Sequence, residues 1–334
     1  MESYIQNIKI GVMTMHCVPN YGAIFQAYAT IEMLKKRAKK LNMSIQIELV
    51  DYQPLNKKIK YSDMALIQYV VRNPLYLKKL SLFVKKGRFA SKKLHHAAYE
   101  FYKKLGVISN EYTSKQLRQL NKYYKALIVG SDQVWNPYGM EQNNEFLLGF
   151  TDNNCKFSFS SSFGIKEFPD VYKDTYRNEL LKFQLLSVRE KEGIDIIKQL
   201  TGRNDCIQTL DPSLLLDKDD YRCLESDRID KIFPDKYILV YLAMKTDTLM
   251  DIVGKYTNDS QKIIVIGMPE VISEIKCDDK RISVLYDVKP EQFLGLFDHA
   301  SLVYTNSFHG VVFSIIFHKQ FIVLPVENSG MNDR

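Results

Sequence analysis

The start of the chain reads as an apolar strand, a polar loop and a helix, and this order constrains the fold more than any other feature. Residues 8–14 are almost continuously apolar, residues 23–40 carry apolar side chains at helical spacing, and residues 45–51 form a second apolar run. A strand, a helix and another strand in series are the βαβ unit of a parallel, doubly wound sheet. The sequence therefore predicts an α/β protein.

The same alternation returns twice further along the chain. It predicts strands at residues 126–130, 156–160, 185–188 and 206–210, with a helix starting near Glu190, and then at 237–242, 263–267, 282–285, 301–305 and 321–325. Residues 290–299 and 311–317 fit helices, and Pro290 is typical of a first helical position. A length of 334 residues suits two domains. We therefore predict two Rossmann-like domains, at 1–216 and 237–334, joined by a linker at 217–236 and facing a cleft.

Charge is distributed unevenly along the chain. Residues 1–125 contain 23 Lys and Arg against 7 Asp and Glu, whereas residues 126–334 contain 23 against 32. The excess of cations alternates with leucine and tyrosine, which predicts a basic, helical insertion in the first domain at about residues 57–120. Such a surface suits peripheral contact with an anionic inner membrane face, at about 1 kcal/mol per well-placed cation. A solvated helical cap on the first domain is the alternative.

Several function classes lack their sequence signals. The five cysteines are scattered singly, and no zinc-ligand cluster, HExxH, Walker A or GxSxG motif is present, so we expect no metal and no cofactor. RRM, HTH and KH signatures are also absent, which disfavours nucleic-acid binding. We find no signal peptide and no apolar run of the ~18–20 residues that span a bilayer, and therefore expect a cytoplasmic location. The sequence does not indicate an oligomeric state.

Three segments hold candidate functional residues. In the loop after the first strand, Asn20, Tyr21 and Gly22 lie at a helix N-terminus, where the helix dipole favours a phosphate or carboxylate. A tight turn that needs glycine is the alternative interpretation there. After a later strand, the polar residues and the single tryptophan are typical of sugar recognition, or else of a capped turn around a packed ring: Ser131, Asp132, Gln133 and Trp135.

The third segment follows a strand of the second domain and opens an apolar helix. His309 lies there beside Asn306 and Ser307, and its place at a strand end favours a catalytic role over a buried structural one. Arg189 also follows a predicted strand, which would direct its guanidinium at an anion. A surface ion pair is the alternative for Arg189.

Six segments taken in order resemble the polysaccharide pyruvyl transferase family. They are IGVMTMHCVPNYGAIFQAYA at 10–29, VGSDQVWNP at 129–137, SFSSSFG at 158–164, SVRE at 187–190, LDPSLLL at 210–216 and NSFHGVVFSIIFHKQFI at 306–322. The resemblance implies the fold of the two-domain B-type glycosyltransferases. It also implies transfer of a pyruvyl group from phosphoenolpyruvate to two hydroxyls of a sugar, on a surface polysaccharide or its lipid-linked precursor, giving a cyclic ketal.

The resemblance also suggests roles for the candidate residues. His309 matches the histidine expected to protonate the donor, and Arg189 matches an arginine expected to hold a donor anion. The donor side would further include Asn20, Tyr21, Gly22, Asn306 and Ser307, and the acceptor side Ser131, Asp132, Gln133 and Trp135.

The chain departs from the family pattern in two places. Better-characterised members carry arginine two residues before the histidine, where this chain has Ser307. The sequence also stops in a loop that members follow with further helices, which predicts a shortened C-terminal domain. Two alternatives therefore stay open: a nucleotide-sugar glycosyltransferase and a non-catalytic glycan-binding protein.

Overall fold

A computed structural model describes most of the chain and divides it into two compact units. The described residues are 8–16, 18–52, 87–138, 144–151, 155–225, 229, 233, 236–245, 261–273, 275 and 278–324. Of these, residues 8–16, 23–52 and 102–216 form the N-terminal unit, and residues 18–22, 87–101 and those from 217 onward form the C-terminal unit. Within the described residues, no helix combines the length and hydropathy needed to cross a bilayer.

The N-terminal unit is built on a parallel sheet with the order β3-β2-β1-β4-β5. Its strands are β1 (Ile8–Met13), β2 (Ile45–Tyr52), β3 (Ile108–Tyr112), β4 (Ala126–Val129) and β5 (Lys156–Ser158). A parallel pair, β6 (Ser187–Val188) and β7 (Ile207–Gln208), continues beside β5 through single bridges. The helices are α1 (Tyr21–Lys40), α2 (Gly87–Lys104), α3 (Leu120–Tyr123), α4 (Lys173–Leu180) and α5 (Lys191–Thr201), of which α1 and α2 begin in the C-terminal unit.

The C-terminal unit repeats this architecture. Its parallel sheet has the order β10-β9-β8-β11-β12. The strands are β8 (Tyr237–Leu242), β9 (Lys262–Gly267), β10 (Ile282–Val284), β11 (Leu302–Thr305) and β12 (Gln320–Val323). The helices are α6 (Lys218–Arg222), α7 (Pro269–Ile272), α8 (Pro290–His299) and α9 (Phe308–Ile316). Every residue of β8 is buried, as expected for a parallel strand that has other elements packed on both faces.

The predicted strands and helices are confirmed apart from small shifts in their ends, but the predicted insertion needs two corrections. Residues 108–112, which we predicted within a helical insertion, form β3 and pair with β2. Their polar side chains suit an edge strand, and the lysine-rich segments on both sides concealed the strand in the sequence. Residues 87–101 group with the C-terminal unit rather than with the N-terminal domain. Residues 57–86 of the insertion lie outside the described residues.

A cluster of charged side chains ties α6 to the end of α8. Arg222 donates to both carboxylate oxygens of Asp298, at 2.7 and 2.9 Å, and the Lys319 ammonium donates to the backbone carbonyl of Asp298. Glu225 lies half-buried beside this carboxylate. Burial, together with the charge of Asp298, raises the pKa of Glu225 from its usual 4.5 to about 7.

We predict that Glu225→Gln stabilises the protein more at about pH 8 than at about pH 5. A carboxyl whose pKa is raised on folding binds its proton more tightly in the folded state, so its contribution to stability falls as pH rises between the unfolded and folded pKa values. Urea unfolding of wild type and variant at the two pH values measures the difference. Glu100→Gln, at an exposed site on α2, is the control, and an equal effect of Glu225→Gln at both pH values would contradict the prediction.

Candidate active sites

His309 lies in the first turn of α9, where the chain leaves β11 in the C-terminal unit, and is only 6% exposed. This turn is pinned to the strand end by Thr305, whose hydroxyl donates to the carbonyl of Tyr241 at 2.8 Å and accepts from the Ser307 amide at 3.0 Å. A methyl group at Gly310 would lie 2.0 Å from the same hydroxyl oxygen. The sequence therefore holds the start of α9 against the end of β11, and this fixes the position of the histidine.

The imidazole of His309 packs directly on the backbone of Gly22, at the start of α1. A Cβ atom at Gly22 would lie 2.1 Å from Nδ1 and 2.3 Å from Cγ of His309, a distance that no real side chain could tolerate. The structure thus brings together Gly22 and His309, which we singled out separately. The reason for glycine differs from the predicted one, because the space at Gly22 is taken by an imidazole rather than left for a ligand.

Asn20 and Tyr21 stabilise this loop, because their polar side-chain groups form hydrogen bonds within the protein. The Asn20 side-chain oxygen accepts from the Gly22 amide at 2.9 Å. The Tyr21 ring stacks on Phe293 at 4.5 Å, and its hydroxyl donates to the carbonyl of Val288 at 2.8 Å. Burial is the main cause that raises the pKa of Tyr21, so the phenol remains protonated. Tyr21 is therefore an anchor of the loop rather than the donor-binding residue that we predicted.

Asn306 links the two loops that leave β8 and β11. Its oxygen accepts from the amides of Ala243 and Met244, at 2.8 and 3.2 Å, and its nitrogen donates to the carbonyl of Met244 at 2.8 Å. Asn306 therefore holds these two loops together, and its predicted contact with the donor stays a prediction. Ser307 is the residue before α9 and makes no capping hydrogen bond with its side chain, so its predicted role in donor binding stays a prediction.

We predict that Gly22→Ala destabilises the protein by about 1–3 kcal/mol, because the added methyl group forces the His309 ring to move. The same substitution in a His309→Ala background should cost less, with a coupling of about 0.5–3 kcal/mol in the double-mutant cycle. Urea unfolding of the four proteins measures this coupling. Equal costs of Gly22→Ala in both backgrounds would contradict the packing seen here.

A second polar site lies at the carboxyl ends of β4 to β7, within the N-terminal unit. Arg189, directly after β6, donates through Nη1 to Asp211 Oδ2 at 3.0 Å and through Nε and Nη2 to Glu190 Oε1 at 3.3 Å. Ser131, after β4, donates to the same Asp211 oxygen at 3.0 Å, and Ser162, after β5, donates to the same Glu190 oxygen. Loops from separate strands thus meet in one network.

The charges around Arg189 are mainly those of carboxylates. Burial by itself lowers the pKa of this guanidinium, but the charges of Asp211, Glu190 and Asp132 outweigh it, and the pKa of Arg189 is raised. Its donors face carboxylates, with Asp211 fully buried against them. The carboxylates thus compensate the charge of Arg189, and its predicted contact with a donor anion stays a prediction.

Asp132 and Gln133 lie at the rim of this network. Asp132 has a φ of 71°, in the left-handed region that few residues other than glycine adopt, and Ser160 has a φ of 54° at the end of the neighbouring strand. Asp132 Oδ1 accepts from the amide of Gln133 at 2.8 Å, and Gln133 Oε1 accepts from the side chain of Asn136 at 3.0 Å. Both residues are partly exposed, so their predicted contact with the acceptor stays a prediction. Ser131 is fully buried, and its hydroxyl donates a hydrogen bond to Asp211 rather than facing an acceptor sugar.

Trp135 is a core residue, which corrects its predicted place in an acceptor site. The ring has no exposed surface, lies 5.3 Å from Phe163 and 5.8 Å from Phe183, and donates its indole N–H to the carbonyl of Phe146 at 3.0 Å. No ring face is left for a sugar. Of the two interpretations open from the sequence, the packed ring is the correct one.

We predict that Trp135→Ala lowers the free energy of unfolding by about 3–5 kcal/mol, because a large cavity replaces a fully buried ring. Chemical denaturation measures this change. Tyr138→Ala, which removes a 70% exposed ring from the same segment, is the control and should change stability little. Similar stabilities of the two variants would be inconsistent with a core role for Trp135.

Sequence reasoning missed the carboxylates that organise the N-terminal site. Asp211 carried a local signal, since Asp before Pro212 caps a short helical turn, and its Oδ1 accepts from the Ser213 amide at 3.0 Å. Its pairing with Arg189 had no such signal. His16 and Asp51 form another buried pair, 3.2 Å apart, after β1 and at the end of β2. Among the described residues, no group of three metal-ligating side chains is placed to hold a metal ion.

Solved structures with similar folds cover nearly the whole chain. The MnaA protein of Staphylococcus aureus, solved with UDP, is 11% identical over 96% of this chain and 80% of its own, with a TM-score of 0.53. A UDP-GlcNAc 2-epimerase of Neisseria meningitidis, bound to UDP-GlcNAc, is 10% identical over 96% and 82%, and a glycosyltransferase of Rickettsia africae is 10% identical over 97% and 81%, each with a TM-score of 0.51. The chain is thus an α/β protein of the B-type glycosyltransferase fold class, which confirms the predicted class.

A family model then narrows this class. The model described as polysaccharide pyruvyl transferase matches residues 20–328. The chain belongs to the polysaccharide pyruvyl transferase family, as its sequence motifs predicted. A search of curated protein sequences finds no match.

Proposed function

We propose that this protein transfers a pyruvyl group from phosphoenolpyruvate to two hydroxyls of a sugar, forming a cyclic ketal during assembly of a surface polysaccharide. Membership of the family supports a transferase that acts on polysaccharides. The observation that carries the finer proposal is the position of His309, a titratable side chain fixed between the start of α9 and the backbone of Gly22. Metal and cofactor have no part in the proposed reaction.

His309 is the proposed general acid for the donor. As a sugar oxygen bonds to the central carbon of phosphoenolpyruvate, the methylene carbon takes a proton from the imidazolium. The second hydroxyl then attacks the same carbon, the bond from carbon to the phosphate oxygen breaks, and the second hydroxyl proton is lost to the departing phosphate. One hydroxyl proton thus replaces the one given by His309, and the other leaves with phosphate. A well-placed acid of this kind contributes typically about 10²–10⁴-fold to the rate.

The charges at the two sites suit different substrates. The start of α9 presents amide dipoles that favour an anion such as the donor, next to the hydroxyl of Ser307. The network around Arg189 has the carboxylates of Asp211, Glu190 and Asp132 around one guanidinium. Carboxylates and serine hydroxyls instead pair well with sugar hydroxyls. We therefore propose that the donor binds at the start of α9, beside His309.

We predict that His309→Ala lowers kcat by about 10²–10⁴-fold without loss of folding. The assay follows phosphate release from phosphoenolpyruvate, with mass spectrometry of the ketal, over methyl glycosides of galactose, glucose and mannose as acceptors. His96→Ala, at an exposed histidine of α2, is the matched control. Release of sugar from a nucleotide sugar, with no use of phosphoenolpyruvate, would favour a glycosyltransferase instead. Glycoside binding without turnover of either donor would favour a non-catalytic protein.

A further inference from the structure

We propose that Tyr21 is a positioning residue for His309, which it holds in place through the backbone of Gly22. This inference rests on the proposed function and names the side chain that sets the position of the proposed general acid. The contacts that carry it lie within the C-terminal unit, to which residues 18–22 belong.

Tyr21 is fixed both by its ring and by its hydroxyl. The ring stacks on Phe293 of α8, with centroids 4.5 Å apart and planes 12° apart, and lies edge-on to Tyr241 at 6.2 Å. The hydroxyl donates to the carbonyl of Val288, which lies directly before the N-cap of α8, at 2.8 Å. Tyr21 is buried, so this bond is formed away from water. The start of α1 is therefore attached to α8 by one stacked ring and one buried hydrogen bond.

Gly22 transmits this attachment to His309. It follows Tyr21 directly, and a Cβ atom at Gly22 would lie 2.1 Å from Nδ1 of the imidazole. The imidazole thus lies against the Gly22 backbone, and a displacement of that backbone displaces the ring because protein interiors are densely packed. Loss of the bond between Tyr21 and Val288 would free the residue directly before this contact.

Phe293 joins the two sides of the contact between Gly22 and His309. On one side it stacks on Tyr21, and on the other its ring meets Phe313 of α9 edge-on, with centroids 5.3 Å apart. Phe313 lies four residues after His309, on the same face of α9. The loop and the helix therefore pack on one ring of α8, which fixes the distance between them.

The proposed proton transfer depends on this distance. A general acid must lie within hydrogen-bond reach of the atom that it protonates. A misplacement of about 1 Å can reduce the rate about 10²-fold. The Tyr21 hydroxyl is bonded to Val288 and does not touch the reacting atoms in this scheme. Its effect on catalysis therefore passes through His309.

The test compares Tyr21→Phe with wild type, because this variant keeps the stacked ring and removes only the hydroxyl. We expect kcat for ketal formation from phosphoenolpyruvate and the methyl glycosides to fall about 10–10²-fold, with little change in KM for the donor. Tyr237→Phe is the matched control, since the buried Tyr237 hydroxyl donates a bond of the same kind to the carbonyl of Leu296 in α8, at 2.9 Å. It should keep wild-type kcat.

Two further measurements separate a positioning role from a structural one. In a His309→Ala background, Tyr21→Phe should leave the residual kcat unchanged, because its effect passes through the imidazole. The NMR signals of the His309 ring should shift in Tyr21→Phe and stay in place in Tyr237→Phe, and this readout needs no turnover.

Three results would overturn the role of Tyr21 and leave the proposed function standing: wild-type kcat in a folded Tyr21→Phe, an equal loss of kcat in the His309→Ala background, or unmoved His309 signals. Absence of ketal formation by the wild-type protein would overturn the proposed function and the role of Tyr21 in it, whatever the NMR signals show.

Discussion

Parallel pairing of buried strands is the constraint on which both sites depend. In each unit the first strand pairs with the second on one side and with the fourth on the other, as β1 does with β2 and β4, and β8 with β9 and β11. Loops that leave the central strands therefore diverge, and this is where open α/β sheets bind ligands. A slip of one residue in β8 would turn its buried side chains to the other face, so the register and the loops after it are fixed together.

Buried charge organises the site of the N-terminal unit. Taking a guanidinium out of water is expensive, and the structure offsets that cost at Arg189 with two carboxylates in hydrogen-bond contact. Removing one partner from a buried pair typically costs about 3–5 kcal/mol, because the other charge is left without compensation. The same contacts that stabilise the fold also orient Glu190. Substitutions that keep the charges are therefore more informative at this site than truncations.

Shape organises the site of the C-terminal unit. His309 is held by close contact with Gly22 and by the pinned first turn of α9, where Thr305 leaves no space for a side chain at Gly310. Packed side chains and backbone move little because protein interiors are dense. A single added methyl group is therefore enough to displace the His309 side chain. The Arg189 network, in contrast, is disturbed mainly by substitutions that change its charge.

The sequence by itself determined the fold class, most strand and helix positions and the family, and it singled out His309 as a candidate, because apolar periodicity and short motifs are local in the chain. It also singled out Gly22, although for the wrong reason. Only the tertiary structure decided that Gly22 makes room for His309, that Asp211 and Glu190 enclose Arg189, and that Trp135 belongs to the core. The physical reason is that close contact and charge compensation join residues far apart in the chain, such as Gly22 and His309, which are 287 positions apart. No local pattern records which partners will meet.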